Sequence, residues 1–120
     1  MSDSSLNSNL ALDARRAYGY EYYLLDGYKL PSYISMDHTK GSGGILSTVN
    51  DMAKFNHEIF DAQTLTSKPL YKAMLTPHVK DWQDYGYGWW IDTVEVNGNK
   101  KTLISHGGST DGYKAYSTRI

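Results

Sequence analysis

Between residues 46 and 60 the chain reads LSTVNDMAKFNHEIF, with apolar positions at Val49, Met52, Ala53, Ile59 and Phe60. This i, i+3, i+4 spacing predicts one amphipathic helix, with Asn56 the single interruption. Ser47 or Thr48 can cap it, Thr48 and Asp51 have capping-box spacing, and Asp51 in the first turn suits the helix dipole. A shorter helix is predicted over residues 68–75. Pro69 is tolerated in a first turn, Leu70, Ala73 and Met74 share a face, and Pro77 ends it.

From Tyr85 the period changes to two. YGYGWWIDTVEV puts Tyr85, Tyr87, Trp89 and Ile91 on one face of a strand. Asn97-Gly98 then favours a two-residue type I′ hairpin, NKKTLIS returns as the partner strand, and GYKAYSTRI reads as a third. A two-residue loop sets Val96 opposite Asn99, and therefore Ile91 opposite Ile104, Trp90 opposite Ser105 and Trp89 opposite His106. Directly opposed Cβ atoms lie about 4.5–5.5 Å apart, so an indole is expected beside the imidazole.

Upstream, AYGYEYYLLDGYKL (residues 17–30) is aromatic and strand-like, broken at Gly19 and Gly27. PSYISMDHTKGSGG (residues 31–44) is a loop of turn formers. Residues 1–16 read as a flexible tail and residues 17–120 as one domain. The expected fold is α+β: an antiparallel sheet of three to four strands packed with two helices. Three strands leave open edges that pair with any available strand, so a homodimer through those edges is expected.

Composition narrows the functional classes. The 120 residues carry a formal charge of −1 and no basic tract, which argues against nucleic acid as a partner. There is no cysteine, hence no disulfide framework or thiolate metal site. The opening MSDSSLNSNL lacks the basic-then-apolar order of a secretory signal. Eleven tyrosines and three tryptophans suit half-buried strands, and equally a face that binds glycan or peptide.

The chemistry concentrates in LISHGGSTDGY. His106 stands at a predicted strand end, imidazole moves protons near neutral pH, and Gly107-Gly108 leave room for a ligand beside the backbone. Free N–H groups at a strand edge can hold a developing oxyanion. The competing reading is a tight turn with a hydrogen-bonded surface histidine, and from local sequence alone it is preferred. His38, His57 and His78 have no zinc-type spacing, so no metal is expected. KGSGG has neither phosphate-loop nor dinucleotide spacing, so no cofactor is expected. Tyr85, Tyr87, Trp89 and Trp90 can stack sugars, although Trp89 and Trp90 point to opposite faces of a strand.

Taken in order, GSGGILSTVNDMAKFNHEIF, MLTPH, YGYGWWI and SHGGSTDGYKAYSTRI resemble the serine β-lactamase and penicillin-binding protein superfamily. The similarity is to its class C-like branch of D-alanyl-D-alanine peptidases and esterases. It covers about residues 17–120 and matches the C-terminal part of such an enzyme, so a partial β-lactamase-like fold is implied. In that family S-x-x-K carries the nucleophile, Y-x-N or S-x-N a proton-transfer group, and K-T-G or H-x-G lines the opposite wall on a strand. His106-Gly107-Gly108 matches the last motif. The resemblance implies that His106 orients substrate and assists proton transfer, that Gly108 keeps the strand edge open, and that the Ser109 backbone N–H is one oxyanion donor. Gly107 and Trp89 would contact substrate.

The other two motifs do not follow the family. No Ser or Thr has Lys three residues on, no Tyr has Asn two residues on, and S-x-N occurs only as Ser5-Leu6-Asn7 in the polar tail. The chain is therefore expected to be a fragment without a nucleophile, inactive alone, whose partner is the missing N-terminal part of the domain. The parent's substrate would be a β-lactam, a peptidoglycan-like peptide or a small ester, and its location the bacterial cell envelope. A non-catalytic glycan- or peptide-binding module is the alternative.

Overall fold

The computed structural model describes residues 1–8, 14–35, 38–79 and 84–120. Residues 9–13 of the expected tail and residues 36–37 of the turn-rich loop lie outside the described residues. Among those described, seven strands form three sheets, accompanied by two α-helices. The chain divides into two compact units, residues 1–55 with 108–115 and residues 56–107 with 116–120.

In the first unit, β1 (Ser5–Leu6) pairs antiparallel with β4 (Ile45–Leu46), and β2 (Glu21–Tyr23) with β3 (Gly27–Lys29). The aromatic segment therefore makes its own hairpin and does not add a fourth strand to the main sheet. Its turn carries Leu24 and Leu25, 85% and 95% exposed.

Helix α1 (Val49–Asn56) begins where its capping residue predicts, with the Thr48 hydroxyl accepting the Asp51 N–H at 3.2 Å. The Asp51 carboxylate takes other partners. It is buried, and its Oδ2 accepts the Ser4 hydroxyl at 2.7 Å and the Asp3 N–H at 2.8 Å. Its Oδ1 faces Lys54 Nζ at 3.5 Å. With the Asn7 N–H on the Gly44 carbonyl at 2.6 Å, residues 3–7 form a bound strap. Within the tail expected over residues 1–16, Asp3, Ser4 and Asn7 thus hold partners in this unit. A buried carboxylate needs donors, and these residues provide them.

That arrangement has a pH dependence. The Ser4 hydroxyl does most to hold the Asp51 carboxyl below its ordinary 3.8, helped by the Asp3 amide and Lys54 and opposed by burial. A depressed carboxyl contributes stability that is complete above its unfolded-state value and is lost as pH falls through its folded value. The strap is expected to stay bound at neutral pH and to release below about pH 4. The Asn7 amide resonance reports the release; in Asp51→Ala it should occupy its released position at every pH. An Asn7 signal unmoved by that substitution would count against the account.

In the second unit, α1 runs on into a π-helical turn over His57–Asp61, closed by the Ala62 N–H on the His57 carbonyl at 2.9 Å. The wider turn holds Ile59 and Phe60 buried side by side, while Asn56 accepts a hydrogen bond from the Ser117 hydroxyl at 3.3 Å. Helix α2 (Lys68–Met74) starts with Pro69 in its first turn. Ile59, Phe60 and Trp89 are the buried apolar side chains among the described residues. Phe60 and Trp89 meet edge-on, with ring centroids 5.0 Å apart.

The three-stranded sheet has the order β5-β6-β7: β5 (Trp90–Val96), β6 (Asn99–Thr110) and β7 (Tyr113–Arg119). Asn97 and Gly98, at φ 52° and 74°, form the expected two-residue loop. The ladder runs from Val96↔Asn99 through Ile91↔Ile104 to Trp90↔Ser105, the register that the loop length predicts.

Candidate active site

Residues before β5 fold into a tight turn, where the sequence pattern suggests a continuous strand from Tyr85. Gly88, at φ +81°, interrupts the extended chain. The Gly86 N–H donates to the Trp89 carbonyl at 2.8 Å, the Ile91 N–H donates to the Asp84 carbonyl at 3.1 Å, and Tyr85 bridges to Trp90. The aromatic residues of YGYGWW consequently take separate partners. Tyr87 lies on His78 with ring centroids 4.3 Å apart, Trp89 turns to Phe60, and Tyr85 and Trp90 meet edge-on at 5.6 Å. They do not form one platform.

His106 follows Ser105, the last paired residue of β6 on the β5 side. Its imidazole lies parallel to the Trp90 indole, 10° between planes and 5.0 Å between centroids. The indole beside the imidazole is thus Trp90, one residue from the expected Trp89. The ladder stops at Trp90↔Ser105, so strict alternation does not carry past it. The His106 Nε2 lies 2.9 Å from the Tyr85 hydroxyl. From the sequence, Tyr85 and Trp90 are candidates only for stacking sugars, not for holding His106. The predicted register, however, already set Trp90 against the residue preceding His106.

The remaining candidates lie where the motif continues along β6. Gly107 is half-buried and Gly108 exposed, and a Cβ at Gly108 would meet only open space. Ser109 is exposed, and its hydroxyl donates to the Tyr113 carbonyl at 3.5 Å, a long and weak contact. His106 and Gly107 belong to the second unit, Gly108 and Ser109 to the first.

His57 and His78 have local partners. His78 Nε2 contacts the Ala73 carbonyl at 2.8 Å, and His57 Nδ1 lies 3.3 Å from Asp61, which also pairs with Arg119. Among the described residues no three His, Asp or Glu side chains group as a metal site.

Two helices and antiparallel strands, with His106 on the central strand of the largest sheet, make this an α+β chain. The Beta-lactamase family model matches residues 1–119, and the chain belongs to that family, within the serine β-lactamase and penicillin-binding protein superfamily. The match includes the N-terminal strap, which the resemblance read from motifs leaves out. No curated protein and no solved structure matches the chain significantly.

Proposed function

We propose that this chain contributes one wall of the active site of a class C-like serine hydrolase acting on β-lactams, peptidoglycan-like peptides or small esters. His106 orients substrate and assists proton transfer, Gly107 contacts substrate, Gly108 keeps the strand edge open, and the Ser109 backbone N–H serves as an oxyanion donor. The observation that carries the reading is His106 itself. Within a family-matched chain, its ring is held by a phenol on one nitrogen and an indole on one face. Trp90 takes the contact with substrate first ascribed to Trp89, and Trp89 anchors the turn that presents it.

The attacking hydroxyl comes from polypeptide outside these 120 residues, because none of their Ser or Thr has the family's lysine three positions on. The outer edges of β5 and β7, which among the described residues pair with no further named strand, are where that polypeptide adds, with a second copy of the chain as its competitor. An extracytoplasmic site at the bacterial envelope fits these substrates.

Alone, the chain is expected to leave a chromogenic cephalosporin unhydrolysed even at high protein concentration. Turnover that vanishes in His106→Ala would overturn the external nucleophile. Titration with a muropeptide should shift resonances centred on His106 and Trp90. Shifts spread instead over Tyr18, Tyr20, Tyr22 and Tyr28, rings 60–76% exposed, would favour a second reading as a glycan- or peptide-binding face. A spectrum that does not change would remove both.

A further inference from the structure

The geometry points to Tyr85 as a positioning residue that sets the tautomer of His106 and makes Nδ1–H the donor its ring offers outward. The relevance to hydrolysis rests on the role proposed above for His106; the tautomer does not. The phenol oxygen and Nε2 are 2.9 Å apart, and one of them must donate. A phenol O–H is a good donor and its oxygen a weak acceptor, whereas the lone pair of a neutral imidazole is a strong acceptor. The phenol therefore donates to Nε2, which leaves the proton of the neutral ring on Nδ1. Among the described residues Nδ1 makes no hydrogen bond, so its proton is free for another molecule.

Two further contacts fix the pair. Trp90 lies parallel to the imidazole at 5.0 Å and edge-on to the phenol at 5.6 Å, so a single indole sets both ring planes. The backbone bridge from Tyr85 to Trp90 ties the phenol to the start of β5. Tyr85 acts through His106, and the assignment is a statement about which nitrogen carries a proton.

Nitrogen-15 correlation spectra of His106, recorded where the imidazole is neutral, read this directly and need no substrate. In the wild-type chain the protonated nitrogen should be Nδ1. In Tyr85→Phe, which keeps the ring against Trp90, the Nδ1–H to Nε2–H ratio should fall about tenfold, the equivalent of one ordinary hydrogen bond. In Trp90→Leu the ring should gain mobility while the ratio persists. A protonated Nε2 in the wild-type chain, or an unchanged ratio in a folded Tyr85→Phe, overturns the proposal. If Tyr85→Phe does not fold, the wild-type spectrum alone decides. A muropeptide that fails to bind would sink the hydrolase reading and leave this result standing; a wrong tautomer would do the reverse.

Discussion

Trp89→Ala should unfold the second unit at ordinary temperature or bring it close to unfolding. Replacing a buried tryptophan by alanine typically costs about 3–5 kcal/mol, from lost burial and the cavity left behind. A domain of this size has a total stability of only about 5–15 kcal/mol. Here the loss falls on a core whose buried apolar side chains, among the described residues, are Ile59, Phe60 and Trp89. The edge-on contact with Phe60 is lost as well, worth about 0.5–1.5 kcal/mol beyond its area. In urea the midpoint should move down by at least about 1 M. Trp89→Phe, which keeps a ring against Phe60, should lose much less. A midpoint for Trp89→Ala that matches wild type would mean that this side chain is not the anchor of the turn.

Gly86→Ala should be the next most damaging change, for the opposite reason. A Cβ there would stand inside the contact distance of the Met74 carbonyl oxygen, with Ile91 Cδ1 at 3.1 Å and the Thr76 carbonyl at 3.2 Å. Two of these three are backbone atoms that cannot swing aside. That Met74 carbonyl also accepts the Tyr87 N–H at 3.0 Å, so the added methyl group pushes on a bond that holds the same turn. Overpacking of this kind costs about 1–3 kcal/mol. The effect should extend to the site, because the turn from Tyr85 to Trp90 carries both rings that hold His106. Thermal melting measures the first part. The second appears as loss of the upfield shift that the Trp90 ring current gives the His106 ring protons. A variant as stable as wild type, with that shift intact, would show that the turn yields easily.

What could be read from the chain was local. Asn97-Gly98 specifies its loop within two residues, and the register to Trp90↔Ser105 follows from it. Thr48 caps α1 through a bond three residues long, and Pro69 marks the start of α2. What escaped depends on distant partners. The Asp51 carboxylate has capping-box spacing, yet its Oδ2 accepts from residues 47 and 48 positions away in sequence. No periodicity announces such a pairing, and a polar N-terminus looks loose without it. The exchange of Trp89 for Trp90 beside His106 has a similar origin. Strand alternation holds only while the ladder continues, and the turn at Gly88 together with the ladder's end at Ser105 suspends it just where the imidazole lies. The π-helical turn is a third case, since a 3.6-residue period cannot anticipate an extra residue at His57–Asp61. Of the site itself, His106 and its glycines were legible as a motif. Tyr85 reaches the imidazole across 21 residues, by a fold no local pattern encodes.

The two-residue loop also sets an order of assembly. A hairpin this tight closes on the scale of microseconds, and its pairs form outward from the turn because each closure shortens the next. Val96↔Asn99 is thus the first rung and Trp90↔Ser105 the seventh and last. The imidazole stands at the far end of this zipper, next to the buried Ser105. Its alignment is therefore expected to be completed late in folding, after the hairpin has zipped to its last rung.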